Sequence, residues 1–136
     1  MRLTAVMDAI AVRLRTISGL RVFEWPPGTA MPPAAIVGYP SVIDYDRTYG
    51  RGGDTLTIPV VVLVGKATDR TARDELGSYV DGSGTRSIKG VVESGTYTAF
   101  DSVRVASADI DVYELGAVRY LAAIFDCEIY GSGSGA

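Results

Sequence analysis

The chain has 136 residues, of which 47% are hydrophobic and 21% charged, so one compact domain with its own core is expected. Thirteen basic residues against sixteen acidic ones give a net charge of −3, which favours neither nucleic acid nor anionic membranes as general partners. The sequence contains no histidine and a single cysteine, Cys127. These absences exclude histidine-based catalytic triads, the usual histidine-containing zinc sites and an intrachain disulfide.

No segment of the sequence is expected to enter a membrane. The longest apolar run, Ile58 to Gly65, is far shorter than the ~20 residues needed to cross a bilayer. Asp8, Arg13 and Arg15 interrupt the first apolar residues, so the N-terminus lacks the unbroken apolar core of a signal peptide. The sequence therefore predicts a soluble intracellular protein.

The first third of the chain predicts one helix followed by short strands. Apolar residues recur at helical spacing from Leu3 to Ile17, and Gly19 supplies the left-handed residue that ends the helix. Four prolines in residues 26–33 require an extended loop. Short strands are expected at residues 20–25, 35–39 and 42–46.

The clearest predicted strand runs from Thr55 to Val64. Its even-numbered residues from Leu56 onward are all apolar and form one face, while Val61 and Leu63 are apolar on the other. The second half of the strand is therefore expected to be covered on both sides. Pro59 cannot donate to a ladder, which predicts that the first half lies at an edge or a bulge.

Two shorter helices follow, one capped by Thr68 or Asp69 and one carrying Ile88 to Val92, and a long hairpin ends the chain. The hairpin strands, 103–115 and 118–130, flank Gly116-Ala117, which suits a type II′ turn.

The hairpin turn also fixes how the two strands pair. Glu114 is expected to lie opposite Arg119, which places opposite charges across the ladder. The same register places three residues on the core face opposite Leu121, Ala123 and Phe125, namely Val112, Ile110 and Ala108.

Together these elements predict a single α+β domain over residues 1–130. One mostly antiparallel mixed sheet packs on a long N-terminal helix and two shorter middle helices, and ends in a long β-hairpin. Residues 131–136, GSGSGA, are expected to form a flexible Gly/Ser tail outside the fold.

No reactive constellation is found in the sequence. The glycine-rich segments at 65–68 and 82–87 lack the defining residues of a P-loop and of a dinucleotide-binding turn, so both are interpreted as turns. No catalytic, cofactor-binding or metal-binding residue is therefore predicted, and no cofactor is expected.

Acidic residues share one face of the predicted hairpin. In the register above, four carboxylates point away from the core: Asp109, Asp111, Asp126 and Glu128. Paired carboxylates can hold a cation or serve a glycosidase, but no second converging element is evident. A solvated or channel-facing sheet surface is the simpler interpretation, because four like charges are costly to bury without partners.

The segment from Tyr45 to Asp54 interleaves aromatic residues, arginines and glycines. Such composition is typical of nucleic-acid-binding loops and also of protein interfaces. The net negative charge favours an interface over nucleic acid, and a plain disordered loop remains an equal alternative. The candidate interface residues are Arg47, Tyr49, Arg51 and Asp54.

Six segments, in this order, resemble the tail terminator proteins of long-tailed (siphovirus-type) phages that infect actinobacteria. They are LTAVMDAIAVRL, PPAAIVGYP, YGRGGD with the strand after it, GKATDRTARDEL, YVDGSG and GTYTAFDSVRV. The resemblance covers residues 3 to 131 and depends on the series, since no single segment is diagnostic.

The resemblance implies a small structural α+β protein of the virion, without catalytic residues. Such proteins form a ring, usually a hexamer, on the last ring of major tail tube subunits at the head-proximal end of the tail. They stop tube polymerisation and join the tail to neck and head-completion proteins. The expected partners are therefore further copies of the chain, the tube protein and the neck proteins, with assembly in the host cytoplasm and no membrane.

In such a ring, the acidic hairpin face is expected to line the central channel, where DNA passes without specific binding, because a negative wall repels phosphate. Two alternatives remain open. One is another head–tail connector or neck protein. The other, from a different class, is a small ligand-binding module or enzyme that uses the acidic sheet face.

Overall fold

A computed structural model describes residues 2–24, 31–40, 42–45, 52–66 and 70–132. These residues form an α+β fold, as predicted. Its elements, in chain order, are α1 (Leu3–Leu14), β1 (Arg21–Phe23), β2 (Ala34–Val37), β3 (Ile43–Asp44), β4 (Gly53–Lys66), α2 (Arg70–Val80), α3 (Ile88–Glu93), β5 (Ser102–Leu115) and β6 (Val118–Ser132).

One mixed sheet contains the six strands of the described residues. The strand order is β1-β2-β4-β6-β5, and β3 pairs with β4 beyond the end of β2. β1 is parallel to β2, and the other pairings are antiparallel. The long strands β4 and β6 are central, whereas β1 and β5 form the two edges.

The main core lies between the sheet and the three helices, on what we call the helix face of the sheet. Even-numbered residues of β4 and odd-numbered residues of β6 pack there against one side of each helix. Ile10 and Leu14 represent the stripe of α1, and Tyr79 represents α2. Helical spacing in the sequence therefore identified the buried side of α1 correctly.

β4 is apolar on both faces in its second half. Val61 and Leu63 point to the opposite, outer face of the sheet and are only 7% and 1% exposed, so the predicted two-sided cover is confirmed. Pro59 was expected at an edge or a bulge, but its strand is paired on both sides. Pro59 lies between the part of β4 that pairs with β2 and the part that pairs with β3, so none of the described strands requires an N–H from residue 59. Its carbonyl accepts a hydrogen bond from the N–H of Gly38 at 2.8 Å.

The predicted ends of α1 and β6 differ from the structure. α1 ends at Leu14, although Ile17 remains buried in the turns that lead to Gly19, which has a φ of 80°. β6 continues to Ser132, which pairs with Gly53. Residues 131 and 132 therefore belong to the strand and not to the predicted tail, and residues 133–136 lie outside the described residues.

The predicted hairpin register is confirmed. Ile110 pairs with Ala123, and Glu114 pairs with Arg119. Gly116 has a φ of 64°, as a turn with glycine at its first position requires. The register then shifts once, at a bulge between Val105 and Ser107.

α3 fixes β5 at this bulge. Glu93 Oε2 accepts the main-chain N–H of Val105 at 2.8 Å and the ammonium of Lys89 at 2.6 Å. Arg13 of α1 holds the other side of α3, because its Nε donates to the carbonyl of Val91 at 2.8 Å. Val105 is accordingly buried, whereas the strand beyond the bulge is exposed from residue 107 to residue 112.

The Glu93 contacts predict a pH-dependent stability. The hydrogen bond from Lys89 is the main cause that holds the pKa of Glu93 below its ordinary value of 4.5; the Val105 N–H acts in the same direction, and burial opposes both. A lowered pKa in the folded state adds stability above about pH 4.5, and this stability is lost as the pH falls through the folded value. We expect Glu93→Gln to lower the free energy of unfolding by about 1 kcal/mol at pH 7.

Urea denaturation of both proteins at pH 7 and pH 3 measures this effect. The difference between wild type and Glu93→Gln should narrow between pH 7 and pH 3, because the stabilisation is lost as the wild-type carboxyl becomes protonated. Asp74→Asn, at an exposed position of α2, is the matched control and should show little difference at either pH. A Glu93→Gln deficit that persists unchanged at pH 3 would assign the effect to packing and not to the charge.

Candidate assembly surfaces

The outer face of the sheet is apolar toward the hairpin turn. Four buried residues lie there among partly buried aromatic and aliphatic side chains. This outer apolar cluster consists of Ile36, Val61, Leu63 and Ala122 with Phe23, Tyr113, Tyr120 and Ile124. All eight residues belong to strands, so no helix residue contributes to this second cluster.

Sequence reasoning missed the outer apolar cluster as a surface. Its signal is the alternation of Tyr120, Ala122 and Ile124 in β6, on the face opposite the core residues. The same alternation is expected for a sheet that packs on two sides. The four buried members are at most 7% exposed, so only the partly buried side chains around them reach solvent.

The opposite end of the outer face is polar and holds a cavity of about 590 Å³. Thr55 and Thr57 of β4, Tyr130 of β6, and an ion pair between β5 and β6 line it. In this pair, Arg104 Nη1 lies 3.0 Å from Glu128 Oε1. Arg104 is the single cation among the described lining residues, and its charge is already balanced.

All four predicted carboxylates lie on the outer face, but they do not form one uniform cluster. Glu128 is paired with Arg104, a residue that sequence reasoning did not connect with it. Asp126 accepts a hydrogen bond from Ser107 at 3.3 Å. Asp109 and Asp111 are exposed on the edge strand β5 and have no ion pair among the described residues. The negative charge that is free of basic neighbours is therefore concentrated at the sheet edge.

The predicted interface loop is described only in part. Arg47, Tyr49 and Arg51 lie outside the described residues. Asp54 belongs to β4, where it pairs with Gly131 and is nearly buried, so it is a strand residue and not a loop residue. The strand begins two residues earlier than predicted, because β6 extends far enough to pair with it.

The predicted core face of the hairpin is partly wrong. Ile110 and Val112 face the helix side in the predicted register, yet they are 59% and 36% exposed. The helix layer meets β5 through α3, whose six residues hold the strand at Val105. The distal part of β5 therefore extends past the core with its apolar side chains in solvent.

Two kinds of reactive group are relevant to the described residues, metal-ligand clusters and a reactive thiol. These residues contain no group of three or more histidine, cysteine, aspartate or glutamate residues placed to hold a metal ion. Burial raises the pKa of the Cys127 thiol to about 12, so this cysteine stays protonated and buried at neutral pH. The surface features of the described residues are a polar groove and an exposed strand edge, and the strand edge lies beside the largely buried outer apolar cluster.

The comparisons with known proteins leave the family open. No protein-family model matches the chain, and no curated protein matches it either. Among the described residues, none of the helices has the length and apolar character that a membrane crossing requires.

Proposed function

We propose that this chain is a structural subunit of a phage tail that forms a ring on the end of the tail tube, stops its polymerisation and joins the tail to the neck. The support from sequence is the series of segments that resembles tail terminators over residues 3 to 131. The support from structure is that the three helices of the described residues all pack on one face of the sheet.

The observation that carries the proposal is the exposed end of β5 beside the outer apolar cluster. Ile110 and Val112 are exposed on one face of this strand, and the other face carries Tyr113, a member of that cluster. A monomeric enzyme has little use for an apolar edge strand, which favours aggregation. A subunit that contacts copies of itself and two further proteins requires such surfaces.

The proposed partners are copies of the same chain, the major tail tube protein and neck or head-completion proteins, and the proposed location is the head-proximal end of the virion tail. The outer face then looks toward the channel through which DNA passes. Asp109, Asp111, Asp126 and Glu128 would contribute a wall with net negative charge, because Arg104 balances only one of them. A structure of the ring that places these four side chains on its outer rim contradicts this orientation.

Tube assembly tests the proposed function. The purified chain is added to a major tail tube protein of long-tailed actinobacteriophages while that protein polymerises, and tube lengths and ends are measured by negative-stain electron microscopy. We expect a ring at one end of each tube and a mean length that falls as more of the chain is added, because a closed ring leaves no site for the next tube subunit.

Two other outcomes decide between the alternatives. A chain that stays monomeric and leaves tube growth unchanged overturns the proposal. Rings that bind the neck proteins but never bind tubes favour a connector or neck protein. An arginine-to-glutamate change at position 73, on the exposed side of α2, is a suitable control protein, since it alters charge away from every surface considered above.

A further inference from the structure

β5 presents an open edge to solvent. The strand pairs with β6 along one side, and none of the described strands pairs with its other side. In a hairpin with a two-residue turn, the two residues that flank the turn form a hydrogen-bonded pair, in which each N–H donates to the other residue's C=O. Along the ladder, pairs of this kind then alternate with non-hydrogen-bonded pairs, whose main-chain groups point away from the partner strand. Counting back from Leu115, the N–H and C=O groups of Val112, Ile110 and Ala108 point away from β6 and toward the open edge.

A side-chain contact agrees with this count. The N–H of Val112 donates to Asp111 Oδ1 at 2.7 Å, which is the contact expected for a main-chain donor that no neighbouring strand uses. Exposed edges are often blunted by charged side chains in this way. The edge is therefore available to a further strand that can displace one carboxylate.

The opposite edge of the sheet carries the complementary charge. Arg21 of β1 lies on the outer face, is exposed, and has no ion pair among the described residues. The main-chain N–H of Arg21 donates to the carbonyl of Pro33, on the side of β2. The N–H and C=O of the next residue, Val22, therefore point away from β2 and toward the open edge. The carbonyl of Val22 makes only a weak contact there, 3.5 Å from Arg15 Nη2.

Strand direction allows the two edges to meet. β1 and β5 run in opposite directions within one chain, as the pairings from β1 through to β5 require. Rotation about an axis parallel to the strands keeps the direction of every strand and keeps the outer face on one side. The β5 edge of one copy and the β1 edge of the next therefore approach as antiparallel neighbours, in a head-to-tail contact that can close into a ring.

We propose that neighbouring copies join by adding β1 of one copy to the open edge of β5 of the next, with Val22 opposite Ile110. This register brings two apolar side chains together on the helix face and extends the sheet across the seam. On the outer face it places Arg21 directly opposite Asp111, and opposite charges across a ladder stabilise a pairing. The inference rests on the proposed function, because it assumes a ring of copies.

The symmetric alternative is a pair of β5 strands related by a two-fold axis. Centred on Ile110, this arrangement would place Asp109 of each copy opposite Asp111 of the other, so that like charges face each other. It would also end at two copies and leave the β1 edges unused. The head-to-tail contact is therefore favoured by charge and by closure.

Cross-linking tests the register directly. The double variant Val22→Cys/Ile110→Cys is oxidised and examined on a denaturing gel, with the native Cys127 buried and unreactive. A directly paired position brings the two Cα atoms to about 5.5 Å, which a disulfide can span. We expect a ladder of covalent multimers up to the number of copies in the ring. Val12→Cys/Ile110→Cys, with the first cysteine on the exposed side of α1, is the matched control and should give no ladder.

Charge exchange tests the ion pair. Arg21→Asp and Asp111→Arg should each raise the concentration at which half of the protein is in rings by about tenfold, and the double variant should restore most of the loss. Arg73→Asp makes the same change of charge on α2 and should leave ring formation as it is in the wild type.

The outcomes separate this inference from the proposed function. A wild-type chain that forms rings and caps tubes, while the cross-link fails or both charge variants assemble normally, overturns the seam and leaves the tail function standing. Two-fold dimers cross-linked through position 110 alone also overturn it. A wild-type chain that neither forms rings nor caps tubes overturns the proposed function itself.

Discussion

Replacement of Phe125 by alanine is expected to lower the free energy of unfolding by about 3–5 kcal/mol. The ring is 2% exposed and lies on the helix face of β6, in the centre of the main core. Its cross-strand neighbours are Val60 on β4 and the small Ala108 on β5. Neither can fill the space that the ring leaves, so the cost of a cavity adds to the lost burial. Chemical denaturation followed by circular dichroism measures the difference.

Ile110→Ala is the matched control on the neighbouring strand. Ile110 lies on the same helix face but is 59% exposed, so its truncation should change the free energy of unfolding by roughly 0.5 kcal/mol or less. The same variant should weaken assembly, because it removes an apolar contact from the proposed seam. Equal losses of stability at positions 110 and 125 would mean that the helix layer covers all of β5, and that the open edge is not exposed in solution.

Gly65→Ala is expected to cost about 1–3 kcal/mol of stability. Gly65 has a φ of 155°, which side chains rarely adopt, and it lies at the irregularity where β4 shifts its register against β6. A Cβ there would also lie only 3.0 Å from Ala72 Cβ, because α2 packs closely against the strand at this point. Thermal and urea denaturation should both show the loss.

The control for this substitution is Gly77→Ala in the middle of α2. A Cβ at Gly77 meets no atom within 4 Å, and the residue does not require a positive φ. Alanine favours a helix over glycine by about 0.5–1 kcal/mol, so this variant should be more stable than the wild type. A loss at position 77 as large as the loss at position 65 would contradict the conformational argument.

Local patterns in the sequence were sufficient to predict most of the fold. The helical stripe from Leu3 to Ile17, the two apolar faces of β4 and the turn at Gly116 each depend on residues close together in the chain. They therefore predicted the elements, the hairpin register and the α+β class. The exact ends of β4 and β6 depend on each other, because Gly53 and Ser132 pair across the sheet, and local patterns contain no information on such a pairing.

The candidate surfaces were harder to predict, because they depend on what the helices leave uncovered. Ile110 and Val112 alternate like core residues, and no local signal shows that α3 is too short to cover them. The face shared by Asp109 and Asp111 followed correctly from the register. The pairing of Glu128 with Arg104 did not, because the bulge between Val105 and Ser107 shifts the register by one residue, and without that bulge Glu128 would lie opposite Val105.

The rate at which Cys127 is alkylated can measure local opening of the sheet. The thiol is fully buried on the central strand β6, opposite Ile58 on one side and Val105 on the other. An alkylating reagent reaches it only when these strands separate, and the sequence holds no other sulfhydryl to obscure the signal. The alkylation rate therefore reports how often the middle of the sheet opens. Measured in the free chain and again in the proposed ring, this rate would show how much assembly reduces the opening of the sheet.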